Sequence, residues 1–178
     1  DHLGHAPEGI KGLMLSCILS DTLEFRSPTT TPHDKAVAEA LASDLGVSIP
    51  DFAAEMFAAK SDVSAFSEAE LLQMDSKEYT VDGTDLRVSV LETTSPATVL
   101  SRKDALMAAM PGVAQEDGAQ EVMLFIIDIL NEEATLLVPN DRVKQIAEAS
   151  FGCTVTGDTV VLPGIMSRKK QIIPALKV

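Results

Sequence analysis

Three consecutive cations, Arg168, Lys169 and Lys170, stand near the end of a 178-residue chain whose formal charge is −13. From residue 163 onward there are four cations, Lys177 being the last, and no carboxylate, which leaves 10 basic against 27 acidic residues elsewhere. Arg offers a planar fork of five N–H donors and Lys a point charge, a combination that grips phosphate oxygens. A basic run is otherwise a solvated surface tail, and composition leaves both readings open. Two more residues could carry chemistry. Lys77 lies in Asp75-Ser76-Lys77-Glu78, and Asp21 closes the apolar run that holds Leu13, Met14, Cys17, Ile18 and Leu19. Asp21 reads either as a cap for the next element or as a ligand. The opening Gly4-His5-Ala6-Pro7-Glu8 has the residue types of a metal loop, but no strand precedes it. His33 reads as an exposed first-turn residue. A Ser-His-Asp arrangement, a P-loop and a Gly-x-Gly-x-x-Gly turn are all absent from the sequence.

The elements that must position these residues fall into two groups. Residues 10–25 carry apolar positions at helical spacing and predict a buried helix ending near Ser20-Asp21-Thr22. Thr31 as N-cap, Pro32 at the first helical position and Asp34 in the first turn start a second helix, which Gly46 closes after Leu45. A third follows Pro50 with Phe52, Met56 and Phe57 as its stripe. Lys60-Ser61-Asp62-Val63-Ser64 is polar enough to be a linker, and Ser67-Glu68-Ala69-Glu70 has the capping-box pattern of a short helix.

Beyond it the period changes from 3.6 to 2. Residues 78–81 and 86–91 flank Asp82-Gly83, a hairpin signal. Residues 97–110 predict a helix stopped by Pro111-Gly112. The run 122–127 is continuously apolar, the mark of a central strand covered on both faces, and 134–138 predicts a second such strand. A helix over 141–150 follows, then a hairpin of 153–156 and 159–162 about Gly157-Asp158. The expected architecture is therefore α/β: helices over 1–64, then a mixed β-sheet with flanking helices over 65–178. The size permits one medium domain or two small ones.

Composition narrows the function classes. Aromatics make up 4 % and Trp is absent, so the core must be aliphatic. The strong negative charge argues against nucleic acid as a partner. No apolar run approaches the roughly 18 residues of a membrane helix, and the opening residues predict no signal peptide. Cys17 and Cys153 lack Cys-x-x-Cys spacing, so buried free thiols in a reducing cytoplasm are expected.

Three blocks together resemble a known family. They are the segment 12–23 (Gly-Leu-Met-Leu-Ser-Cys-Ile-Leu-Ser-Asp-Thr-Leu) with Phe25-Arg26-Ser27-Pro28-Thr29, then Asp75-Ser76-Lys77-Glu78-Tyr79, then Ser167-Arg168-Lys169-Lys170-Gln171-Ile172-Ile173-Pro174. In order and spacing they resemble the manganese-dependent, family II inorganic pyrophosphatases of the DHH phosphoesterase superfamily, from about residue 10 to the end. The Ser-Arg-Lys-Lys-Gln ending is the specific part.

The resemblance implies an enzyme that hydrolyses pyrophosphate to two phosphates. Two Mn2+ or Co2+ ions would generate the attacking hydroxide, Mg2+ would accompany the substrate, and Asp21 would match a metal ligand. It implies that residues 65–178 form the DHH-associated C-terminal substrate-binding domain, with Lys77, Arg168 and Lys169 on the substrate phosphates. Residues 1–64 would be the helical end of the catalytic domain. Lys170 has no such contact by the match and a supporting role is expected for it; Ser167 would position the segment. The family's opening metal loop and its Asp-His-His motif belong well upstream of Asp21, and only nine residues precede Ile10. The expectation is a chain with no complete catalytic set and no tightly bound metal, inactive alone. The parent enzyme would be cytoplasmic and homodimeric, free of nucleic acid and membrane. The alternatives are a DHH exopolyphosphatase or phosphodiesterase, and a non-catalytic phosphate-binding module.

Overall fold

The apolar run 122–127 lies at the centre of the sheet. A computed structural model describes residues 6–178; the Gly4-His5 opening weighed above and Asp1-His2 lie outside the described residues. The chain divides into two compact units, up to Lys60 and Ser61–Val178.

The first unit is helical: α1 (Glu8–Thr22), α2 (Pro32–Leu45) and α3 (Ile49–Lys60). Leu15 and Leu19 of α1 are buried with Ala38, Leu41 and Ala42 of α2 and Ala53 and Phe57 of α3. The opposite side of α1 exposes Ile10, Leu13 and Cys17. Cys17 is therefore not the buried thiol expected, because it falls roughly 160–200° around the helix from Leu15 and Leu19 at about 100° per residue. The start of α2 has the chemistry read from its sequence. Thr31 accepts from the Asp34 N–H, Asp34 accepts from the Thr31 N–H, and Pro32 needs no partner for a missing donor. Gly46 ends α2 in the left-handed region.

The second unit begins with α4 (Glu68–Met74), whose capping box joins Ser67 and Glu70. β1 (Ser76–Val81) and β2 (Thr84–Thr93) form a hairpin in which Asp82 and Gly83 have φ of 50° and 81°, the paired positive values that a two-residue type I′ turn requires. The chain crosses through α5 (Pro96–Leu100) and α6 (Lys103–Asp117) to β3 (Glu121–Asp128), then runs through β4 (Glu133–Leu137), α7 (Asp141–Phe151) and β5 (Thr159–Pro163). Strand order is β1-β2-β3-β4-β5, with β2 and β3 parallel and the other pairs antiparallel.

Both faces of β3 are covered, which is why its sequence does not alternate. Val122, Leu124 and Ile126 join Leu71, Leu72, Leu106, Met110 and Val113 of α4 and α6 in one core. On the other face Phe125 meets Phe151 of α7 edge to face, ring centroids 5.9 Å apart.

Two sequence expectations in this unit fail. The helix expected over 97–110 is two helices, and the second runs through Pro111 to Asp117. An interior Pro removes one helical hydrogen bond and costs ~3 kcal/mol, but Leu106, Met110, Val113 and Ala114 are buried on both sides of it, and that burial outweighs the lost bond. The joint at Arg102 is fixed from outside, where its guanidinium donates to Glu68 and to the carbonyls of Val63 and Phe66. The hairpin expected over 153–162 is also absent, since only 159–163 is a strand and its partner is β4. Gly152 ends α7 in the left-handed region, the Glu148 carboxylate accepts from the Val155 N–H at 3.0 Å, and the Cys153 thiol donates to the Ala147 carbonyl at 3.5 Å. Residues 153–155 are thus tied to the end of α7. Cys153 is only partly buried, and desolvation pushes its thiol pKa up.

Candidate phosphate-binding site

The basic ending is not a free tail. After Gly164 the chain enters a single π-helical turn, Arg168–Ile172, continued by one turn of α8 (Ile173–Ala175). The Ser167 carbonyl accepts from both the Gln171 and the Ile172 N–H, each at 3.0 Å, and the Ser167 hydroxyl accepts from the Lys170 N–H at 3.3 Å. Such i to i+5 turns are rare and recur at functional sites.

Gln171 locks the approach to this turn. Its Oε1 accepts from the Met166 and Ser167 N–H groups at 2.8 and 2.9 Å, and its Nε2 donates to the Gly164 carbonyl at 2.6 Å. Met166, Ser167 and Ile172 are buried, while Lys169 and Lys170 are exposed. A basic run that would repel itself in isolation is held as a defined surface by a neutral amide and an apolar underside.

Arg168 reaches across 93 residues of sequence. Its Nη1 donates to the Asp75 carbonyl at 2.8 Å and to the Val88 carbonyl at 3.4 Å, and its Nη2 donates to Asp75 Oδ1 at 2.7 Å. Val88 is the ladder partner of Lys77. The β1–β2 register therefore brings Lys77 and Arg168 to one corner of the sheet. Paired residues share a face, so Lys77 lies on the side of Val88, Met123 and Phe125, the side that Phe151 of α7 packs against. Ser76 and Glu78, on the other face, are held by Arg87, which also pairs with Asp117 of α6. The Arg87 Nε and Asp117 Oδ2 are buried with only each other.

The ammonium groups of Lys77 and Lys169 make no hydrogen bond or ion pair with a described residue, and both side chains are exposed. The corner thus offers one anchored guanidinium and two uncommitted ammonium groups. That set can neutralise a multiply charged oxyanion. Two residues that sequence reasoning did not single out, Asp75 and Gln171, shape it. Each lies inside a block quoted above, so a question about what would hold Lys77 and Arg168 in place would have reached them.

Asp21 belongs to the first unit and is described by itself. It is exposed and precedes three non-glycine residues with positive φ, Leu23 at 49°, Glu24 at 52° and Phe25 at 69°. Left-handed backbone costs ~1–2 kcal/mol per residue. Here it is offset by buried Leu23 and by local bonds: the Glu24 N–H to the Leu19 carbonyl at 2.9 Å, the Ser27 N–H to the Thr22 carbonyl at 2.9 Å, and the Phe25 N–H to the Thr22 hydroxyl at 3.3 Å. The Thr29 hydroxyl donates to the Asp21 carbonyl at 3.2 Å, which fixes the backbone while the carboxylate stays without a hydrogen bond among the described residues. Asp21 caps no helix; the N-cap of α2 is Thr31. Among the described residues no three His, Cys, Asp or Glu side chains converge. A lone carboxylate does not make a manganese centre, so these residues do not fit one unaided and no chemical step is derived through a metal.

Comparison with known proteins agrees with the fold. The DHHA2 domain family matches residues 54–178, which takes in the whole second unit. A protein of Lactobacillus helveticus described as "Probable manganese-dependent inorganic pyrophosphatase" is 39 % identical over 171 residues, covering 96 % of this chain and 55 % of that protein. One of Deinococcus radiodurans with the same description is 42 % identical over 170 residues, covering 93 % and 54 %. The crystal structure of a Methanococcus jannaschii protein described as a "putative family II inorganic pyrophosphatase" superposes with a TM-score of 0.82 at 34 % identity, over 96 % of this chain and 55 % of that one. The chain spans about half the length of these relatives. Its five-stranded mixed sheet, its anchored basic turn and the match over 54–178 lead to one assignment: the chain belongs to the DHHA2 domain family.

Proposed function

We propose that this chain is the phosphate-holding part of a manganese-dependent inorganic pyrophosphatase, an enzyme that adds water across the P–O–P link of pyrophosphate and releases two phosphates. The observation that carries the reading is the corner where Arg168, bonded to Asp75 and Val88, stands beside the ladder position of Lys77. Lys77, Arg168 and Lys169 are the substrate-binding residues. They offset the charge of bound pyrophosphate and of the departing phosphate, and the fixed turn Arg168–Ile172 removes the entropy that a flexible basic tail would have to lose on binding. In this reading residues 65–178 are the substrate-binding domain and 1–64 the end of a catalytic domain.

In the whole enzyme Mn2+ or Co2+ would supply an activated water and Mg2+ would accompany the substrate, with Asp21 the one described residue that would help to hold the metal and other residues completing the set. Among the described residues no further metal ligand stands with Asp21, and in this reading the chain by itself turns over nothing. The reading carries with it a cytoplasmic, homodimeric parent enzyme with no nucleic-acid or membrane partner; no helix among the described residues is long and apolar enough to cross a membrane. The named relatives do not favour an exopolyphosphatase or phosphodiesterase.

Calorimetric titration with pyrophosphate and with imidodiphosphate, a non-hydrolysable analogue, tests the clamp. Saturable binding that is lost on Arg168→Ala and weakened on Lys77→Ala is expected. Equal binding by all three proteins would make the basic corner mere surface.

A further inference from the structure

Arg168 has five N–H donors. Three are accounted for: two of Nη1, on the carbonyls of Asp75 and Val88, and one of Nη2, on Asp75 Oδ1. The Nε–H and the second Nη2–H bond to no described residue. These two donors lie along one edge of the planar guanidinium, the arrangement that meets a phosphate with two parallel hydrogen bonds. Asp75 grips the adjacent Nη1–Nη2 edge with backbone and side chain at once. Its own carbonyl is fixed in turn, since it accepts from the Val90 N–H at 2.9 Å. The grip is rigid at its base because Asp75 sits between the end of α4 and the start of β1, two residues before Lys77. Arg168 itself is mostly covered, with 14 % of its side chain exposed against 55 % for Asp75. An arginine so covered has few orientations open to it, and Asp75 selects among them.

We propose that Asp75 is a positioning residue for Arg168, holding the guanidinium by one edge so that the free edge stands beside Lys77 for a phosphate group. This rests on the phosphate-clamp reading above. The Asp75 carboxylate also opposes the anion it helps to bind, so its two effects have opposite sign and separate variants resolve them. Asp75→Ala removes the Oδ1 acceptor and the charge. Asp75→Asn keeps an acceptor and removes only the charge. Both leave the Asp75 carbonyl and its bond to Val90 in place, so the sheet corner keeps its backbone.

The experiment is an isotope-edited titration of the 178-residue chain with pyrophosphate, with wild type, D75A, D75N and R168A compared, and with the Arg side-chain N–H signals recorded before ligand is added. Positioning predicts about tenfold weaker binding in D75A, the loss of one charge-assisted hydrogen bond. D75N binds as well as wild type or better. It also predicts that the Arg168 Nη protons, distinct in wild type because rotation is hindered, merge in D75A and stay distinct in D75N. A general loss of fold would instead move the backbone spectrum, which should stay unchanged away from 75–77, 88 and 166–171.

D75A binding as tightly as wild type, with R168A impaired, would overturn the proposal and leave the clamp standing. D75N binding as weakly as D75A would overturn it too, because the acceptor would be present without effect. R168A indistinguishable from wild type, or a wild-type chain that pyrophosphate does not perturb, would overturn the clamp reading and with it the role of Asp75.

Discussion

Gln171→Met is the sharpest test of how the basic turn is built. Methionine keeps the length of glutamine and removes its amide. The Met166 and Ser167 N–H groups then lose their acceptor, and the Gly164 carbonyl loses a donor. Met166 and Ser167 are 4 % and 7 % exposed, so their N–H groups are poorly placed to find water. A buried donor left unsatisfied costs about 1–3 kcal/mol. Two such donors give roughly 2–6 kcal/mol, and because Gln171 is half-buried, water reaching the gap limits the loss to about 2–4 kcal/mol. At 1.4 kcal/mol per tenfold, local opening becomes roughly 30- to 700-fold more frequent. Native-state hydrogen exchange reads this directly at the Ile172 and Ile173 amides, which donate to the Ser167 and Arg168 carbonyls. Gln171→Glu, which keeps the acceptor and loses only the Gly164 bond, should fall between. Exchange in Gln171→Met within about threefold of wild type would refute the claim that this amide holds the turn.

Other expectations follow from the same geometry. Lys77→Ala and Lys169→Ala should leave the denaturation midpoint of the chain unchanged, because their ammonium groups are unpaired among the described residues. Arg168→Ala should lower it, since it removes three hydrogen bonds that tie the turn to β1 and β2; equal midpoints for all three variants would contradict this.

The pH dependence of stability should fall off on both sides. Hydrogen bonds from Thr31, Ser64, Arg102, Ser67 and Lys103 hold Asp34, Asp62, Glu68, Glu70 and Asp158 below their ordinary pKa values. A depressed carboxylate stabilises above its unfolded value of about 4, and that contribution disappears as pH falls through the folded value. The hydrogen bond to Asp158 raises the Lys103 pKa. Its contribution is complete below the unfolded value of about 10.4 and is lost as pH rises through the folded one. Asp158→Asn should therefore flatten part of both limbs in denaturant titrations, and an unchanged profile would count against the pair. Incubated with pyrophosphate and Mn2+, the purified 178-residue chain should release no phosphate above background; steady release would show that its catalytic set is complete after all.

Much of the fold is legible in the sequence where one local signal acts alone. Thr31-Pro32 with Asp34, and Ser67 with Glu70, encode their caps through side chains that reach only three residues. Asp82-Gly83 encodes its turn because glycine accepts the positive φ of a type I′ hairpin. The unbroken run 122–127 encodes a strand buried on both faces. Misreadings occur where a tertiary contact outweighs a local signal. Pro111 punctuates strongly, but the buried residues on either side of it carry α6 through. Gly157-Asp158 resembles a hairpin turn, yet Glu148 takes the Val155 N–H and β4 takes the strand.

The candidate site divides in the same way. Lys77, Arg168 and Lys169 stand out by type, and the resemblance connects them. Asp75 and Gln171 do not stand out, because a carboxylate in an anionic chain and an amide beside three cations look ordinary until the π-helical turn and the β1–β2 register bring them into contact. Cys17 escaped its expected burial because α1 is apolar on nearly every side, so its composition does not say which side the unit covers.

The central claim is that Lys77, Arg168 and Lys169 form one surface that binds the phosphates of pyrophosphate. Backbone chemical-shift mapping of the 15N-labelled chain during a pyrophosphate titration tests it most directly. The account predicts saturable shifts confined to 75–77, the neighbouring position 88 and 166–171, abolished by Arg168→Ala and reduced by Lys77→Ala. Shifts centred elsewhere, for instance on the start of α7, or shifts at this corner that persist in Arg168→Ala, would contradict it.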